Sequence, residues 1–154
     1  LCREALIVVF AAQLNVMLLK NMAYVISFYS NVFNLDNEKE NSINPIKGIS
    51  VGEWLNPILE KNGISVTDID EEDWGWYSYA IFNDRKYLIG YTAIPDQICS
   101  NDAEIIIQIN KERNLTEVLF GKNKLTNDDP VINIVSKIIK NTTAFKDIEE
   151  KYSA

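Results

Sequence analysis

The run WGWYSYAIF at residues 74–82, followed by NDR at 83–85 and KYLIGYTA at 86–93, decides the fold. Aromatic and β-branched side chains fill both halves, and Asn83-Asp84-Arg85 between them has turn chemistry, so an antiparallel hairpin is expected, ended by Pro95. Downstream, Glu104 to Asn110 contains Ile105, Ile106, Ile107 and Ile109, apolar on both faces as a central strand requires. Upstream, Tyr24, Ile26 and Phe28 alternate with Val25, Ser27 and Tyr29, which predicts a further strand over Ala23 to Ser30.

Helices are expected in the intervals. Ser50-Val51-Gly52-Glu53 has capping-box spacing, Trp54, Leu55, Ile58 and Leu59 supply an apolar face, Pro57 kinks it or begins a new first turn, and Gly63 stops it. Before Gly121, the side chains of Leu115, Val118, Leu119 and Phe120 suggest a short amphipathic helix. Asp129 sits at an N-cap position with Pro130 at N1, and Val131, Ile134, Val135, Ile138 and Ile139 continue at helical spacing. A final short helix is expected from Thr143, carrying Phe145, Ile148 and Tyr152. Residues 34–48 are polar and read as the longest loop. The expected architecture is a two-layer α+β domain: a four-stranded antiparallel sheet from residues 23–30, 74–82, 86–94 and 104–110, with helices packed on one face in the order βαβββαα.

A chain of 154 residues, 47% hydrophobic and 24% charged, builds a core without disulfides or a metal. No internal repeat or linker interrupts residues 22–154, which read as a single domain. The first 21 residues, LCREALIVVFAAQLNVMLLKN, differ in character. Their uninterrupted apolar run, Ala5 to Ala12, is short of the roughly 20 residues of a spanning helix, and Gln13 and Asn15 follow it. Three readings stand for this segment: a hydrophobic extension ahead of a natural start at Met22, a packed helix, or a targeting or membrane segment.

Composition removes whole classes of chemistry. With 15 Lys and Arg against 22 Asp and Glu, the net charge of −7 repels phosphate backbones, so nucleic acid is not an expected partner. His is absent, which excludes Ser-His-Asp and Cys-His nucleophile pairs and His-ligated zinc. Neither GxGxxG nor GxxxxGK[ST] occurs. Cys2 and Cys99 lack CxxC spacing; one disulfide between them stands as an alternative, and the count fits a reducing, cytoplasmic compartment better than a secreted scaffold. No cofactor and no catalytic residue is nominated.

The unusual local feature is Asp68, Asp70, Glu71, Glu72 and Asp73, running directly into Trp74 and Trp76. These seven residues are the candidate partner-binding site, because carboxylates steer a basic protein while large rigid aromatics anchor it. The plainer alternative is a solvated acidic loop followed by a core strand. The same carboxylates suit Mg²⁺ or Ca²⁺, but they lack the DxDxDG order of an EF-hand loop, so no metal site is nominated. Lys111, Arg113, Lys122 and Lys124 form a second charged group, offset in sequence by Glu112, Glu117, Asp128 and Asp129, and read as mixed-charge surface.

From Met22 to Ile139 the chain resembles small uncharacterised bacterial proteins that share an EDWGWY-type element, here Glu72 to Tyr77, and a GKNKLTNDDP-type element, here Gly121 to Pro130. That resemblance implies a single α+β domain and transfers no catalytic residues. Size and acidity also resemble bacterial immunity proteins that neutralise basic toxins. The leading expectation is therefore a non-enzymatic bacterial protein-binding domain, of the immunity type, with a basic protein as partner and neither nucleic acid nor a membrane. The alternatives are a carboxylate- or metal-dependent hydrolase, and a membrane-associated accessory domain carried by residues 1–21.

Overall fold

A computed structural model of the chain describes residues 22–96 and 101–153. In chain order the strands are β1 (Ala23–Ser30), β2 (Ser65–Val66), β3 (Asp70–Glu72), β4 (Gly75–Phe82), β5 (Arg85–Pro95), β6 (Ala103–Lys111) and β7 (Lys146–Ser153). The helices are α1 (Ile49–Lys61), α2 (Leu115–Leu119) and α3 (Pro130–Asn141). The sheet runs β2-β4-β5-β6-β1-β7, with β3 also paired to β4. Each of these pairings is antiparallel.

The central hairpin forms where turn chemistry places it. Phe82 pairs with Arg85, and Asn83 and Asp84 lie at φ 50° and 57°. A two-residue type I′ turn needs positive φ at both positions, which Asn and Asp tolerate. Strand β6 sits between β5 and β1, as its apolar run requires.

Seven strands replace the four expected, and the order βαβββαα does not hold. Strand β3 is made of Asp70, Glu71 and Glu72, residues with poor strand propensity. Tertiary bonds hold it instead: the Asn41 carboxamide donates to the Glu72 and Gly75 carbonyls at 2.9 and 3.0 Å. Strand β2 is too short to show a period. The final helix expected from Thr143 is strand β7, paired to β1. Ile148 and Tyr152 fit a helical face at i and i+4, and they fit alternation equally well once Glu150 between them is seen opposite Ile26. Phe145, just before the strand, stacks on Phe28 with ring centroids 4.2 Å apart.

Two caps differ as well. Helix α1 begins after Gly48, and its free amides are met from the 34–48 loop: Glu38 accepts from the backbone of Gly48 at 2.9 Å and of Ser50 at 3.0 Å. The Ser50 hydroxyl also donates to Glu38, so no Ser50–Glu53 capping box forms. Asp129 does occupy the N-cap position of α3, but its carboxylate accepts from the Tyr87 hydroxyl at 2.7 Å and from Lys111 at 2.8 Å.

Register fixes which face is covered. Tyr24, Ile26 and Phe28 stand beside Ile109, Ile107 and Ile105, which in turn stand beside Ile89, Tyr91 and Ala93. All nine are buried. Helix α1 lies on this face, with the Asn56 carboxamide accepting from Tyr91 and Ser78 hydroxyls at 2.7 and 3.2 Å. Helix α3 covers the same face, burying Val131, Val135 and Ile139 in the same core. The opposite face carries Tyr77, Gly90, Gln108 and Val25 in one row across the sheet. Its larger side chains, Tyr77, Tyr79, Leu88 and Ile106, are only half-buried. Among the described residues, then, both long helices pack on one side of the sheet and neither lies on the other, the open side, where Thr92 and Gln108 are nonetheless buried between their neighbours. The readings of residues 1–21, and both cysteines, lie outside the described residues.

Candidate protein-docking face

Alternation along β4 sends Trp76, Ser78 and Ala80 into the core and Tyr77 and Tyr79 to the open side. Trp74 joins them from the β3–β4 turn. Its ring lies over Gly90, where a methyl group would come within 2.7 Å of the ring carbon Cζ3. Gly75 lets the chain make this approach: it has φ 148°, and a Cβ there would meet the Tyr91 carbonyl oxygen at 2.8 Å. The resulting row is contiguous, with Trp74 and Tyr77 ring centroids 6.0 Å apart and Tyr77 and Tyr79 centroids 5.6 Å apart. Lys86 places its Nζ 3.6 Å from the Tyr79 centroid and closes that end.

Strand register also sorts the carboxylates. Asp70 lies opposite Tyr77 and Glu72 opposite Gly75, on the open side, whereas Glu71 lies opposite Trp76. Asp70 is 3.5 Å from the Tyr77 hydroxyl. Partial burial first, then the negative charge of Asp70, the neighbouring Tyr79 and the charge of Glu72, push that hydroxyl's pKa up. Asp68 and Asp73 are exposed at either end of the strand. Glu71 is engaged internally: it accepts from the Ser42 hydroxyl and, at 3.1 Å, from the Ser42 amide. Those two hydrogen bonds hold its pKa below the usual carboxylate value.

The candidate residues therefore divide by place. Asp70, Glu72 and Trp74 come together on the open face, with Asp68 and Asp73 flanking them. Trp76 is 1% exposed and donates its indole N–H to the Ile46 carbonyl at 3.0 Å. It is a core residue and offers no ring to a partner. Tyr77, Tyr79 and Gly90 were not nominated from sequence, although the period of two that predicted the strand already separates Tyr77 and Tyr79 from Trp76.

Other chemistry is less developed. Among the described residues no three His, Cys, Asp or Glu side chains converge to hold a metal ion. The cationic group is partly consumed: Lys111 pairs with Asp129 at 2.8 Å, and Arg113 donates to the Lys122 carbonyl at 3.3 Å. No described helix is long and apolar enough to cross a membrane. Comparison of the chain with family models, curated proteins and solved structures finds no match.

Proposed function

We propose that this chain is a non-enzymatic protein-binding domain that receives a basic partner on the open face of its sheet, in the manner of an immunity protein covering a basic toxin. The observation that carries the proposal is the Trp74–Tyr77–Tyr79 row bordered by Asp70 and Glu72. Aromatic side chains give large contact area for little conformational entropy, and half-burial against the sheet has already fixed these rings. The carboxylates beside them are exposed, so they add rate and orientation more than affinity. A partner of matching chemistry presents Lys and Arg around an apolar or aromatic centre. The two cysteines, without CxxC spacing, suit such a role in the cytoplasm.

Capture by the full chain from an extract of its source organism, followed by identification of the bound protein, tests this. Asp70→Lys with Glu72→Lys should slow association and reverse its salt dependence, while Trp74→Ser should weaken binding by about 30-fold or more if the ring is an anchor. Binding unchanged in both variants removes this face as the docking surface. A toxin encoded beside this chain would favour the immunity form of the proposal over other binding roles.

A further inference from the structure

Helix α2 reverses the usual arrangement of a short amphipathic helix. None of its residues is buried, and Leu115, Leu119 and the following Phe120 are 75%, 73% and 72% exposed, with Val118 at 41%. The apolar stripe, which an amphipathic helix ordinarily buries, faces solvent. Its shape is nonetheless fixed: the Asn114 side chain accepts from the Glu117 amide at 2.8 Å, and Glu117 accepts from the Asn114 amide at 3.1 Å. Arg85 anchors Glu117 at 2.6 Å, and Gly121 at φ 63° ends the turn. An ordered apolar projection gains nothing from burial within this fold, which marks it as a contact surface.

Cations surround its base. Lys122 and Lys124 follow directly and are exposed, the Lys124 side chain lying beside Gly121, and Arg113 reaches the Lys122 carbonyl. Carboxylates of the same stretch are matched by other cations: Glu112 by Lys86 at 3.5 Å, Glu117 by Arg85 and Asp129 by Lys111. Asp128 is exposed on the loop that leads into α3. Lys122 and Lys124 thus give the base of the projection two exposed cations on a chain of net charge −7.

We infer that this projection is an interfacial anchor for an anionic lipid surface, with Leu115, Leu119 and Phe120 entering the headgroup boundary and Lys122 and Lys124 staying at the phosphate level. Its form favours lipid over protein. The helix spans five residues, too few for the i to i+7 register of a helix seated in a groove. Four apolar side chains fall well short of the roughly 800 Å² per partner of a stable protein interface. A fluid surface asks for no complementary shape, and lysines flanking an apolar patch extend their amines to the interface. Contact of this kind needs no spanning helix.

Sedimentation of the full chain with vesicles of phosphatidylcholine, alone or mixed with phosphatidylserine, tests the anchor. The wild-type chain should pellet with the anionic vesicles and less so at high salt. Leu119→Ser with Phe120→Ser should reduce that partition roughly tenfold or more, and Lys122→Glu with Lys124→Glu should do the same on anionic vesicles. Circular dichroism checks that these exposed substitutions leave the fold intact. Wild-type chain that ignores the vesicles overturns the inference. So does equal pelleting of the variants, which would place the contact elsewhere in the chain. A change in oligomeric state without vesicle binding would instead make the projection a self-association surface and also overturn it.

Discussion

Gly90→Ala adds one methyl group to the open face, and the structure states what that methyl meets. The new Cβ would lie 2.7 Å from Trp74 Cζ3 and 3.1 Å from Cη2, about 1 Å inside ordinary carbon contact. Either the strand strains or the indole lifts. Overpacking costs about 1–3 kcal/mol. Lifting a half-buried tryptophan returns on the order of 100 Å² of apolar surface to water, about 2.5 kcal/mol. Elsewhere in a strand, Gly→Ala stabilises by roughly 0.5–1 kcal/mol through backbone entropy, so the two effects oppose each other. The clash wins, leaving a net loss of about 1–2 kcal/mol. Urea denaturation of the two chains measures the loss, and tryptophan emission should shift to the red as the lifted Trp74 ring meets water while Trp54 and Trp76 keep their places against the core. The Trp74→Phe chain supplies the reference spectrum. A Gly90→Ala protein as stable as wild type, with unchanged emission, would show that Trp74 does not rest on the sheet.

Three further outcomes follow from the same geometry. Asp129→Ala leaves Lys111 and the Tyr87 hydroxyl without their shared acceptor and should cost about 3–5 kcal/mol in chemical denaturation, whereas Lys111→Met with Asp129→Leu should recover most of it. Glu117 and Glu150 both titrate near about 2 in the fold, against 4.5 for the free group. For Glu117 the Arg85 hydrogen bond leads; for Glu150 burial opposes the shift, and hydrogen bonds from Lys140, Ser136 and Tyr24 outweigh it. Because the unfolded chain takes up these protons first, their stabilisation is complete above about pH 4.5 and is lost as pH falls toward 2. Thermal melts across that window should show a shallower decline for Glu150→Gln; a slope identical to wild type would mean that Glu150 is not so bound. Phe120→Ser should change unfolding stability by no more than about 0.5 kcal/mol, since the ring is exposed, and a larger loss would place it in the core.

Local patterns were legible where one physical signal dominated. The β4–β5 hairpin, β1, β6 and the core of α3 follow from alternation, turn residues and helical spacing that agree with one another. Strand β3 was illegible because its acidic residues are held by Asn41 and Ser42, some 30 positions away in sequence. Strand β7 was misread because Ile148 and Tyr152 satisfy two periods at once, and only the pairing with β1 decides between them. The Ser50–Glu53 box failed for a related reason: Glu38 takes the Ser50 amide and hydroxyl that the box would use. At the candidate site, sequence located the acidic run and Trp74 but joined Trp76 to them, since a list of neighbouring aromatics does not separate the faces of a strand. The exposure of α2 was invisible as well, because an apolar stripe reads the same whether or not a core lies opposite it.

Hydroxyl-radical footprinting of the full chain, free and with its captured partner, tests the open face most directly. Trp74, Tyr77 and Tyr79 should oxidise readily in the free protein while Trp76 and Tyr91 resist, and the same three should become protected in the complex. If those three are as resistant as Trp76 before any partner is added, or if the partner protects other surfaces and leaves them unchanged, the sheet does not present the docking face described.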